Sequence, residues 1–136
     1  MKPGARIAAA IEVLETIVTR HQPVGIALAD WGKSHRFAGS GDRNAIGGLV
    51  YDALRRRSSI AWAMGADSPR ALAIGAASAA FRMEPDAVDA ACDGQNHAPE
   101  PLSETERAGL TRSLQDAPPH VQADVPEWLW PSFTAA

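Results

Sequence analysis

Gly41-Asp42-Arg43-Asn44-Ala45-Ile46-Gly47-Gly48-Leu49-Val50-Tyr51-Asp52-Ala53-Leu54-Arg55-Arg56-Arg57 carries the plainest periodicity in the chain. Ile46, Leu49, Val50, Ala53 and Leu54 fall at i, i+3, i+4, i+7 and i+8, the spacing that aligns one apolar stripe along an α-helix. The spacing predicts a core-facing helix over residues 41–57, with Ser40 ahead of it as N-cap. Three arginines close it, where cations complement the negative pole of the helix dipole. Gly47 and Gly48 in its middle each cost about 1 kcal/mol relative to alanine. That cost leads us to expect a neighbouring helix packed close against them.

The flanking segments read the same way. Residues 3–20 form an expected helix with Pro3 in its first turn and a stripe of Ile7, Ile11, Leu14 and Ile17/Val18. Pro23 separates it from a second helix over residues 24–33. A short apolar piece, 60–64, follows the arginines. Ser68-Pro69 then opens an Ala-rich helix to Phe81 with cap and first-turn proline in order. Leu72, Gly75, Ala76 and Ala79 give that helix a small-residue face for close packing. Residues 85–92 read as a further short helix. No alternating β-branched run exceeds a few residues, so the first 92 or so residues are expected to form an all-α bundle. From Gly94 onward prolines punctuate an acidic stretch in which only residues 103–114 look helical, behind a capping-box pattern at Ser103 and Glu106.

The chain has 136 residues, 46% of them apolar and 21% charged, an ordinary globular composition. A single domain of this size buries roughly two-thirds of its unfolded surface and needs neither disulfide nor metal to fold. Cys92 is the only cysteine, which excludes an internal disulfide framework and a Cys-based zinc site. Its neighbours offer no cation to lower its pKa, so it is expected to be a small buried hydrophobe. No signal-peptide pattern and no run of ~20 apolar residues occurs, which makes the cytoplasm the expected location. The net charge of −3 is unevenly spread: residues 33–57 hold six cations against two acids, and residues 84–136 hold ten acids against two arginines. A basic segment inside an acidic protein steers anions to one face.

The run Arg36-Phe37-Ala38-Gly39-Ser40-Gly41-Asp42-Arg43-Asn44-Ala45-Ile46, continuing through Tyr51-Asp52-Ala53-Leu54-Arg55-Arg56-Arg57, resembles the N-terminal NusB-like domain of the RsmB/NOP class of S-adenosylmethionine-dependent rRNA cytosine-5 methyltransferases. Ala98-Pro99-Glu100-Pro101-Leu102-Ser103 and the closing Pro126-Glu127-Trp128-Leu129 fit the same resemblance. It implies a NusB-like helical RNA-binding bundle over residues 1–94. Residues 95–136 would be a Pro-rich, partly helical extension leading to a catalytic domain that this chain lacks. It further implies a non-catalytic role in positioning rRNA, with S-adenosylmethionine and the two reactive cysteines belonging to the catalytic domain. Gly39-x-Gly41 lacks the remaining glycine of a dinucleotide loop and has no strand before it, so no cofactor is expected here.

The residues expected to meet RNA are Lys33, Arg36, Arg43, Arg55, Arg56 and Arg57. Intramolecular pairing is the competing expectation, for instance Asp52 with Arg56 at i+4 or Asp42 beside Arg43. Trp31, His35 and Phe37 could stack on bases beside these cations, but Trp31 and Phe37 are expected in the core. Trp128, Leu129, Trp130 and Phe133 are expected to face the catalytic domain, or else to fold back on the bundle. The rRNA and the methyltransferase domain are thus the expected partners. Two alternatives share the same residues: a stand-alone antitermination-type RNA-binding factor, and an intramolecular scaffold that touches no RNA.

Overall fold

The computed structural model describes residues 1–134, with side chains described as far as Ser132. The described residues hold α1 (Pro3–Arg20), α2 (Val24–Ser34), α3 (Ser40–Arg55), α4 (Arg57–Met64), α5 (Pro69–Phe81), α6 (Pro85–Ala91), α7 (Glu104–Thr111), α8 (Pro119–Gln122) and α9 (Trp130–Thr134), with a 3-10 turn at Leu114–Asp116 and no strand among them. The fold is all-α, as the periodicity predicts.

α5 is the axis of the bundle. Ala71, Leu72, Ala73, Ile74, Ala76 and Ala77 are all buried, and a helix apolar on every side must be surrounded. α1, α3, α4, α6 and α7 pack around it. Ser68 caps it by accepting the Ala71 N–H, and Pro69 occupies its first turn. The stripes of α1 and α3 close the core: Ile7, Val13, Leu14, Ile46, Leu49 and Val50 have essentially no exposed surface. Each such side chain contributes roughly 1.5–3 kcal/mol of burial.

Close helix approach occurs at glycines, though not at the expected pair. A Cβ on Gly75 would stand 2.5 Å from Ile60 Cγ2, so α4 presses onto the small face of α5. A Cβ on Gly109 would meet the α4 backbone at Ala63 O and Met64 Cα, both 2.9 Å away. Gly48 instead opens to empty space, and Gly47 has only a Leu28 methyl at 3.8 Å. The exposed side of α3 is simply unoccupied there. Ala79, assigned to the packing face, is exposed.

The helix expected over 41–57 is also interrupted. Arg56 leaves helical geometry (φ −107, ψ 25), and a new helix starts at Arg57. Ser40 is the first residue of α3 and caps nothing; Gly39 takes the cap position. The Pro-rich extension lies along the bundle rather than away from it. Leu102, Ala117 and Val121 are buried, and the Ser103–Glu106 capping box forms. Arg70 on α5 donates to Glu106 at 2.9 Å and to the carbonyl of Glu100 at 2.8 Å. Asp124 accepts from both the N–H and the hydroxyl of Ser59.

Candidate nucleic-acid interface

The turn between α2 and α3 builds the most distinctive surface. His35 ends α2 with its ring Nδ1 2.8 Å from the Trp31 carbonyl and its own N–H on Gly32 O. The Ala38 N–H then returns to His35 O, folding the chain back toward α3. Lys33, Arg36 and Arg43 thereby line one groove of about 650 Å³ between the two helices, with Leu28 and Trp31 among its walls. Gly32 lets Arg43 lie close: its Nη2 donates to the Gly32 carbonyl at 3.3 Å. Among the described residues none of these three cations forms an ion pair.

The other three expected contacts stand apart. Arg43 and Arg55 are separated by twelve residues of α3, about 18 Å of helix. Arg55 and Arg56 both hold Asp52, at 2.8 and 2.5 Å, and Arg57 makes two 2.9 Å bonds to Asp67. Burial opposes ionisation of Asp52, but hydrogen bonds from Arg56 and Arg55 outweigh it and hold the carboxyl below its usual range. The hydrogen bond to Asp67 raises the Arg57 pKa further. One patch of six cations therefore resolves into an unpaired trio and a paired triplet. The expected Asp52–Arg56 pair is present, whereas Asp42 meets Arg6 at 2.8 Å and the terminal amine at 3.2 Å rather than Arg43.

Phe37 is not a core residue: it is 75% exposed, because the turn carries it past the end of α2. Trp31 is half-buried and stacks on His35 with ring centres 4.2 Å apart and planes 7° from parallel. Phe37 meets the other side of His35 edge-on at 5.8 Å. Glu12 holds the Trp31 indole N–H at 3.0 Å. The sequence offers His35 only as one of three rings beside the cations; its stacking on Trp31 follows from the i, i+4 spacing that brings helical side chains together. Trp31 also lines a second groove of about 640 Å³, shared with His35, Phe37, Glu12 and Asn96.

Cys92 is buried, and burial pushes its thiol up to about 11, so thiolate is scarce at neutral pH. At the chain's end Trp128 is 79% exposed, while Leu129 and Trp130 are half-buried. The Phe133 side chain lies outside the described residues. No described helix is long and apolar enough to cross a membrane. No protein-family model, curated protein or solved structure matches the chain.

Proposed function

We propose that this chain is a non-catalytic RNA-binding module that positions rRNA, in the cytoplasm, for a cytosine-5 methyltransferase domain in the same or another polypeptide. One observation carries the RNA contact. Lys33, Arg36 and Arg43 converge on a single groove without a carboxylate partner, in a protein whose net charge is −3. Unpaired cations on a concave surface attract phosphates, and binding releases condensed counterions. Arg36 and Arg43 add planar forks that match phosphate oxygens. Arg55, Arg56 and Arg57 already satisfy Asp52 and Asp67, so their part is secondary.

The resemblance of residues 36–57 to NusB-like domains supplies the wider setting. On that reading the methyl group belongs to S-adenosylmethionine on the methyltransferase domain. The groove's task is to fix the register of the strand, which phosphate contacts do without reading sequence. Trp128 favours a second contact: an indole this exposed, beside Leu129 and Trp130, suits docking of the methyltransferase domain.

Fluorescence anisotropy with a labelled rRNA-type hairpin tests the reading. The triple substitution Lys33→Ala, Arg36→Ala, Arg43→Ala should weaken binding at least about tenfold and reduce the log–log salt slope by about two. Arg55→Ala with Arg57→Ala should do less. Unchanged affinity and slope in the triple variant would overturn RNA contact at this groove and favour a scaffold role.

A further inference from the structure

Phe37, His35 and Trp31 form a continuous aromatic row whose outer member is three-quarters exposed. Single exposed hydrophobics are common and need no explanation. This one differs in standing against two anchored rings. His35 is fixed by the Trp31 carbonyl and the Trp31 ring, and Trp31 is fixed by Glu12. Phe37 stands edge-on against this anchored pair, so the three rings present one continuous aromatic surface.

The two grooves beside Trp31 differ in charge. On one side stand Lys33, Arg36 and Arg43. The other contains the aromatic row, a floor of Ala5, Ala8 and Ala9, and a mixed polar rim in which Lys2 and His97 stand with one carboxylate, Glu12. Phosphate suits the first side, which three cations and no carboxylate line, whereas on the second Lys2 is offset by Glu12 and no such excess of positive charge remains. An uncharged planar ring suits the second, since alanines give a flat floor and the aromatic row gives a stacking face. A nucleic-acid strand lying across Trp31 would meet both conditions at once, its phosphates among the cations and a base in the aromatic groove. In a duplex the base faces are hidden within the stack, whereas an unpaired base offers its face to an aromatic side chain.

We propose that the Trp31–His35–Phe37 groove takes an unpaired nucleobase of the strand whose phosphates bind Lys33, Arg36 and Arg43, making the module selective for single-stranded rRNA over duplex. This inference rests on the RNA-binding reading above. Stacking one base contributes a sequence-tolerant increment and releases no counterions, which separates it from the phosphate contacts.

The test compares Phe37→Ala and Phe37→Tyr with the wild-type chain, using an unstructured oligoribonucleotide and a blunt RNA duplex of equal length. Phe37→Ala should weaken single-strand binding about tenfold with an unchanged salt slope. It should leave duplex binding as it was, and Phe37→Tyr should restore the loss. Phe37 contributes little to the core, so equal melting temperatures will certify the fold of both variants. Equal weakening for both RNAs, or none for either, overturns the proposal. Should the groove triple variant lose RNA while Phe37→Ala does not, only this inference falls. A wild-type chain that binds neither RNA overturns the functional reading and this one together.

Discussion

Gly48 and Gly109 are both helical glycines, yet the spaces around their missing Cβ atoms are opposite. At Gly48 a Cβ would enter open solvent; at Gly109 it would strike Met64 Sδ at 2.7 Å and the α4 backbone at 2.9 Å. Glycine in a helix interior costs roughly 0.5–1 kcal/mol against alanine, so Gly48→Ala should stabilise the fold by about that amount. Gly109→Ala should destabilise it by about 1–3 kcal/mol, because backbone atoms of α4 cannot turn aside as a flexible side chain would. Urea midpoints of the two variants should move in opposite directions. Sequence assigns the two glycines the same cost, since which one a neighbouring helix approaches depends on packing between distant segments.

Element boundaries separate along the same line. α1, α5 and α7 were legible because their signals are local: Pro3 in a first turn, Ser68-Pro69 as cap and start, and the Ser103–Glu106 box. The break between α3 and α4 was not, because what holds the start of α4 comes from 65 residues away. The Asp124 carboxylate accepts the Ser59 N–H at 2.7 Å and the Ser59 hydroxyl at 2.9 Å, serving as a cap for α4 supplied by the far end of the chain. Ser59 is a buried polar residue, so losing the carboxylate leaves its N–H without that acceptor, while its hydroxyl keeps the Arg56 carbonyl at 3.1 Å. Asp124→Ala should cost about 1–3 kcal/mol. Asp124→Asn should cost less, since asparagine tolerates the left-handed backbone of that position (φ 55) and still offers one acceptor. Chemical denaturation of both variants checks the order. The candidate site divides in the same way. Residue type and chain position marked the six cations, and i+4 spacing marked the Asp52–Arg56 pair. The capture of Arg57 by Asp67 and the outward swing of Phe37 depend on where α4 and the α2–α3 turn end up, which no local pattern encodes.

Across the whole molecule, carboxylates paired with arginines join elements that are distant in sequence. Asp42 ties the start of α3 to Arg6 on α1, and Glu106 ties α7 to Arg70 on α5. The Arg6 hydrogen bond holds Asp42 below its ordinary value of 3.8, and the Arg70 hydrogen bond holds Glu106 below its ordinary value of 4.5. A carboxyl whose pKa is depressed on folding binds its proton more readily in the unfolded chain. Its stabilisation is therefore fully present above the ordinary value and is lost as pH falls through that value toward the lower, folded one. The protein should hold its stability from neutral pH down to about 5 and lose it progressively below that. Glu106→Gln isolates one member, because glutamine keeps the capping-box geometry while removing the charge. Both partners remain partly exposed, and solvent screening limits the loss at neutral pH to about 1 kcal/mol or less. The gap between wild type and Glu106→Gln should narrow as pH drops and vanish once Glu106 is protonated in both states. Urea midpoints at stepped pH values from 7 to 3 would show this convergence, and a gap that stayed constant would mean that the Arg70 charge pair contributes nothing to the docking of α7.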